Sequence, residues 1–286
     1  MKQKEKYQIQ MIKVCDYIYS HLDEELTVDK LSKVAHFSKF HFHRQFSYFM
    51  GISVSKYIQQ LRMKRASYQL YFDKEKSILD VALDARFEYP ESFSRAFKKE
   101  FEQSPSDFRN QADWLLWNKK YRRVNAPMEK NMRVEIQSLP QTNIAVFEHR
   151  GSPNQVNQSA QQFIQWRKSS GLSPIKTSRT FGLAYDDPQT VPASDFRFDI
   201  CGEVTMPIEP NDSGIINKII PGGRYAVLRH LGSHDNLDIT VRCFFSDWLP
   251  NSGETLGDFP IIFHYLNFFP EVTENELITD VFIFLE

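Results

Sequence analysis

Several groups of side chains in this sequence have the types and spacing to do chemistry. Lys39, His43 and Arg44 lie among Phe42, Phe46 and Phe49, and Arg95, Lys98 and Lys99 lie among Phe93, Phe97 and Phe101. Cations set at helical spacing opposite an apolar stripe suit a polyanion, since each can neutralise a phosphate. His36, His41 and His43 suggest a metal ion, but no cysteine or carboxylate cluster accompanies them, so no metal is expected. Glu148, His149 and Ser152 have the types of a hydrolytic site. Neighbours along a strand point to opposite faces, however, and nothing marks an activated nucleophile, so no catalytic residue and no enzyme is expected. Gly222-Gly223 marks a turn without a phosphate-loop pattern, and no cofactor is expected.

The cationic groups need helices to present them. Thr27 can cap a helix beginning Val28-Asp29-Lys30-Leu31, with Asp29 adding favourable charge in its first turn. Val28, Leu31 and Ala35 then share one face. After a break at His36-Phe37, Ser38 caps a second helix that buries Phe42, Phe46 and Phe49 and leaves Lys39, Phe40, His43, Arg44 and Ser47 on other faces. His41 is expected to be partly buried. A short helix, a tight turn and a capped helix with a polar outer face is the form that enters a major groove.

The same logic recurs. Phe42-His43-Arg44-Gln45-Phe46 matches Phe93-Ser94-Arg95-Ala96-Phe97, and Ala35-His36-Phe37 matches Ala85-Arg86-Phe87, with one residue of slack. Ile78, Val81, Ala82 and Ala85 form the first helix of this copy. Glu91 to Phe101 forms the second, with Ser92, Ser94, Arg95, Lys98 and Lys99 outward. Between the copies, Val54 to Leu70 reads as one long helix carrying Lys56, Arg62, Lys64 and Arg65. Such a connector would hold two reading helices about one DNA turn apart, roughly 34 Å.

The charge follows this division. Up to residue 130 there are 24 Lys and Arg against 17 Asp and Glu; beyond it there are 11 against 19, so the net charge of -1 conceals a basic first part. The 286 residues suffice for about two domains. No apolar run approaches the ~20 residues that span a bilayer, and the polar, lysine-rich start is unlike a secretory signal, so a cytoplasmic protein without membrane contact is expected. Cys15, Cys201 and Cys243 are widely spaced and expected to be buried apolar side chains.

From Met132 the texture changes to alternating runs such as Arg133-Val134-Glu135-Ile136, broken by proline and glycine. This part is also duplicated. Ala145-Val146-Phe147-Glu148-His149-Arg150-Gly151-Ser152 matches Ala226-Val227-Leu228-Arg229-His230-Leu231-Gly232-Ser233, Phe163-x-x-Trp166 matches Phe245-x-x-Trp248, and Ser170-Gly171 matches Ser252-Gly253. Each repeat reads strand, strand, helix, strand, strand, and two repeats are expected to pack as a pseudo-symmetric pair with a cleft between them.

Residues 10–110 or so resemble the AraC/XylS family of bacterial transcription regulators. The resemblance is carried by LSKVAHFSKFHFHRQFSYFMGISVSKYIQQLRMKRASYQL and ILDVALDARFEYPESFSRAFKKEFEQSPSDFR, including Phe97-Lys98-Lys99, Ser104-Pro105 and Phe108-Arg109. It implies double-stranded DNA as a partner and RNA polymerase as a further one. It also implies a DNA-facing set of Ser38, Lys39, Phe40, His43 and Arg44 in the first copy and Ser92, Ser94, Arg95 and Lys98 in the second. Where that family has glycine, this chain has His36 and Arg86 in the turns and Glu102 after the second reading helix. Pro90 and Glu91 leave base-specific contact by the second copy open.

The region from Met132 to Glu286 resembles the small-molecule-binding domain of gyrase-inhibitor-like proteins and multidrug-responsive regulators. The carriers are the duplicated Ala-Val-x-x-His-x-Gly-Ser, Tyr185-Asp186-Asp187-Pro188, Arg197-Phe198-Asp199, Pro221-Gly222-Gly223-x-Tyr225, Trp248-Leu249-Pro250 and Tyr265-Leu266-Asn267. The resemblance implies a lipophilic small-molecule effector held by aromatic walls, here Phe147, Trp166, Trp248, Phe263 and Tyr265. That family's glutamate falls at Phe263, beside His264. Either the effector is neutral or another acid such as Glu148 or Glu203 substitutes.

The expected protein is therefore multidomain. An all-α N-terminal domain with two helix-turn-helix units covers 1–112, a helix extension and linker 113–131, and an α+β effector-binding domain 132–286. Two rival functions remain: a regulator whose C-terminal domain serves only protein contacts, and a small-molecule hydrolase fused to a DNA-binding domain.

Overall fold

The structure is a computed structural model that describes residues 3–121, 133–269, 271–272 and 274–286. Arg122, Arg123 and Pro127 of the expected linker lie outside the described residues, as do the side chains of Phe40, Lys119 and Lys120. The chain forms two compact units. One comprises Met1–Pro127 with Phe269–Glu276, the other Met128–Phe268 with Leu277–Glu286.

The first unit is helical: α1 (Gln3–Ser20), α2 (Val28–Val34), α3 (Lys39–Met50), α4 (Val54–Phe72), α5 (Ile78–Asp84), α6 (Pro90–Phe101), α7 (Pro105–Asn110) and α8 (Trp114–Tyr121). The caps are where the sequence places them. Thr27 accepts from the Lys30 amide and Ser38 from the His41 amide, and Ser53, Ser77 and Ser104 do the same for α4, α5 and α7. Each such cap stabilises a helix by about 1 kcal/mol. The exception is α6, which begins one residue earlier than expected, on Pro90, with no side-chain cap at Tyr89. Proline at the first helical position costs nothing there, because that amide has no partner in any helix.

Each helix-turn-helix copy has its own core. Phe42 and Phe46 are buried with Leu31, Ala35, Val54 and Leu61, while Phe49 is partly buried. Phe93, Phe97 and Phe101 are buried with Val81, Ala82, Phe108 and the α8 residues Trp114, Trp117 and Tyr121. The turns do adopt left-handed backbone at the three positions that lack glycine: His36 has φ 54°, Arg86 65° and Glu102 59°. The long helix α4 contributes to both cores, and its cations are spent inside the unit. Arg62 donates to the Leu22 and Glu24 carbonyls, Arg65 to the Asp84 carbonyl, and Lys64 Nζ lies 2.6 Å from Glu274 Oε1 with both side chains buried. Of the four basic residues read from the sequence on this helix, only Lys56 is exposed.

The second unit is one eight-stranded antiparallel sheet with helices on one face. Its first repeat is β1 (Val134–Leu139), β2 (Thr142–Arg150), α9 (Val156–Ser170), β3 (Thr180–Ala184) and β4 (Arg197–Glu203). Its second is β5 (Ile215–Ile220), β6 (Gly223–Leu231), α10 (Leu237–Cys243), a π-helical turn (Phe244–Trp248), α11 (Leu249–Ser252), β7 (Ile261–Tyr265) and β8 (Ile278–Leu285). The strand order is β1-β6-β8-β7-β3-β4-β2-β5. Exchanging equivalent strands of the two repeats reverses this order onto itself, so a pseudo-twofold axis passes between β7 and β3. The first strand of each repeat pairs with the second strand of the other repeat: β1 lies against β6 and β5 against β2.

One equivalence differs from the sequence alignment. Phe244 is fully buried and stacks on Trp248, centroids 5.0 Å apart, as buried Phe163 stacks on Trp166 at 5.5 Å. Phe245, the expected match to Phe163, is 38% exposed. The π-helical turn adds one residue between Phe244 and Trp248, which accounts for the shift. The three cysteines are buried and free.

Candidate functional sites

On the helical unit, α3 and α6 present the candidate polar faces. On α3, Lys39, His43 and Arg44 are exposed, as is the cap Ser38. His41 is exposed too, contrary to expectation, because the 3.6-residue period gives the inward position to Phe42 and turns its neighbour out. Lys39 Nζ sits 2.8 Å from Asp29 Oδ1, and Asp29 also holds Lys33, so hydrogen bonds from both lysines lower the Asp29 carboxyl. On α6, Arg95 and Lys98 are exposed and Ser92 and Ser94 half-buried, with Arg95 Nη2 donating to Ser92 Oγ at 3.1 Å. Each copy therefore brings its cations together on the outer side of its second helix.

On the sheet unit, directly paired residues of antiparallel strands share a face. Through the registers, Phe147, Ile200, Gly182, Phe263, Val281 and Leu228 form one row on the helix side. Tyr265 pairs with Thr180 and Thr279 on the same side. Three of the five aromatic candidates thus share this face. The other two, Trp166 on α9 and Trp248 in the π-helical turn, belong to the helix layer over it. Phe147 and Trp166 pack in the cluster around α9, Trp248 and Tyr265 in the cluster around α10, and Phe263 in both. The row has its smallest member at Gly182, where a Cβ would lie 2.4 Å from Phe198 Cζ and 2.9 Å from the Tyr265 hydroxyl.

The residues with hydrolytic types are held in hydrogen bonds and ion pairs of the sheet unit. His149 Nε2 lies 3.0 Å from the Ser152 carbonyl, which can only accept, so Nε2 carries the proton and Nδ1 accepts from Ser159 Oγ at 2.8 Å. His230 repeats this with Ser233 and Thr240. Both ring nitrogens are occupied in each repeat, and burial lowers both pKa values. Glu148 lies on the opposite face, paired with Asp199 in the register. Among the described residues no group of three or more His, Cys, Asp or Glu could hold a metal ion. No helix among them is long and apolar enough to cross a membrane.

Residues 132–286 match the GyrI-like small molecule binding domain, and residues 31–111 match a helix-turn-helix domain. The chain belongs to the GyrI-like family. The probable transcriptional regulator YgiV of Escherichia coli K12 is 48% identical over 150 residues, 52% of this chain and 94% of that protein. The transcriptional regulator Rob of Salmonella typhimurium is 35% identical over 98 residues, 34% of each chain's length. A crystal structure of the EcmrR C-terminal domain aligns at a TM-score of 0.44 and 15% identity, over 54% of this chain and 98% of that one. This GyrI-like protein carries an AraC-type helix-turn-helix domain before its small-molecule-binding domain, and it is a DNA-binding transcription regulator.

What the sequence missed on the GyrI-like unit is the destination of its acids. Glu148 Oε1 accepts from Arg150 and Lys218, and Asp199, fully buried, accepts from Arg150, Lys218 and the Tyr185 hydroxyl. Glu203 accepts from Arg179 at 2.8 and 2.9 Å, which holds its carboxyl below the usual range. Glu148 and Glu203 both face away from the aromatic row, so neither substitutes for a glutamate at Phe263.

Proposed function

We propose that the two helix-turn-helix copies read one double-stranded DNA site as an asymmetric pair. Ser38, Lys39, Phe40, His43 and Arg44 supply contacts from α3, and Ser92, Ser94, Arg95 and Lys98 supply them from α6. The observation that carries this reading is the pair of helices α3 and α6, each burying a phenylalanine stripe and presenting cations on its outer side. α4 between them is 19 residues, about 28 Å, comparable to the roughly 34 Å that separates successive grooves. Pro90 and Glu91 at the start of α6 assign most sequence discrimination to α3.

In this reading the GyrI-like unit binds a lipophilic small molecule against Phe147, Trp166, Trp248, Phe263 and Tyr265. Binding shifts either DNA affinity or contact with RNA polymerase by favouring one arrangement of the protein over another. Its place of work is the cytoplasm.

Fluorescence anisotropy on duplexes from upstream of the protein's own gene tests the DNA reading. Tight binding to one duplex, falling steeply with salt and weakened about tenfold or more by Arg44→Ala, is the expected result. No binding to any duplex at low salt would refute it.

A further inference from the structure

The sheet of the GyrI-like unit separates its charges by face. Glu135, Glu148, Asp199, Glu203 and Asp280 fall on one face through the registers, with Lys218 and Arg229 beside them. Each of these carboxylates has a cation of its own: Arg133 for Glu135, Arg150 and Lys218 for Glu148 and Asp199, Arg179 for Glu203 and Arg229 for Asp280. Among the described residues, the helix-side face carries no strand carboxylate. Over its midline stands Phe263, and beside that Tyr265 pairs with Thr180 and Thr279.

Two polar groups on this face have consequences for a ligand. Arg167 of α9 is buried, and its guanidinium donates to the Ser173 and Ser178 carbonyls and to Thr180 Oγ1, all neutral oxygens. Burial alone pushes its pKa down to about 10, still charged at neutral pH. Arg167 therefore brings a positive charge that none of its own hydrogen-bond acceptors cancels. Thr279 is fully buried, and its Oγ1 has no hydrogen-bond partner among the described residues. A buried hydroxyl left without a partner is unfavourable, and a ligand's acceptor or donor would relieve it.

We propose that the helix-side face takes an uncharged aromatic or apolar small molecule carrying a hydrogen-bonding group such as a ketone, seated on Phe263 with Thr279 Oγ1 as its polar contact, and that it discriminates against cations. This rests on the reading of the GyrI-like unit as an effector-binding domain. A cation placed there would lose its hydration with no strand carboxylate to replace it, and would meet the Arg167 guanidinium as a like charge.

The test uses the full chain and two probes built on one ring system. The neutral probe is propionyl(dimethylamino)naphthalene, followed by its own fluorescence; the cationic one is its trimethylammonium analogue, added as a competitor. The expected result is saturable binding of the neutral probe, displacement by the ammonium analogue at least about tenfold weaker, and binding of the neutral probe about five- to tenfold weaker in Thr279→Val. Phe263→Glu should raise the affinity of the ammonium analogue. If the ammonium analogue binds the unaltered protein as well as the neutral probe or better, the discrimination is overturned while the effector reading stands. If Thr279→Val binds the neutral probe unchanged, the hydroxyl contact is overturned. If neither probe binds, the effector reading falls and this inference with it.

Discussion

Gly182 and Phe263 are equivalent positions of the two sheet repeats, and they lie directly across β3 and β7 from each other. The pseudo-twofold axis therefore runs between them, and one slot on the helix-side face must serve both. Two phenyl rings would compete for it; a glycine opposite a phenylalanine fills it once. A methyl group at 182 would press on Phe198 and the Tyr265 hydroxyl, at 2.4 and 2.9 Å. Gly182→Ala should lower stability by about 1–3 kcal/mol through overpacking, read as a fall in the denaturation midpoint with little change in slope.

The π-helical turn makes a sharper prediction about neighbours. Phe244→Ala should cost about 3–5 kcal/mol, because Phe244 is fully buried against Trp248, whereas Phe245→Ala should cost less than about 1 kcal/mol. Equal costs would mean that the insertion lies elsewhere in the repeat.

The left-handed turns carry strain that can be relieved. His36, Arg86 and Glu102 each hold a side chain at positive φ. Replacement of any one by glycine should raise stability by about 0.5–1 kcal/mol, the strain removed exceeding the added freedom of the unfolded chain. Chemical denaturation of the three single variants measures it.

Acid should weaken the sheet unit through its two histidine staples. Burial holds His149 and His230 below the ordinary value of 6.5, so the unfolded chain takes up protons first as pH falls. The stability these groups contribute is complete above about pH 6.5 and is lost below it. A denaturation series from pH 7.5 to 5 should show that loss, and its slope should flatten when both histidines are replaced by glutamine. An unchanged slope would assign the acid sensitivity to other groups.

Much of this was legible because it is local. Thr27 and Ser38 declare helix starts by chemistry that acts over three residues, and the phenylalanine stripes declare a buried face by period. The repeats revealed the strand order's symmetry before any strand was paired. What escaped depends on register and on distant partners. Nothing in the sequence near Glu148 or Glu203 says which face of the sheet each takes or that Lys218 and Arg179 will reach them. Lys64 and Arg65 look like surface cations in a run of helix and are buried instead. Equal spacing to the tryptophan pairs Phe163 with Phe245 in the sequence, and only the packing of Phe244 on Trp248 across the π-helical turn corrects it.

The helical unit is not continuous in the gene. Its buried Lys64 is answered by Glu274, which also accepts from the Tyr19 hydroxyl, and residue 274 is encoded between the codons for β7 and β8. A cassette ending at residue 131 would therefore carry the two reading helices but leave behind the counter-charge of their connecting helix. For this chain, recombination that swaps one half for a foreign one exchanges that partner as well.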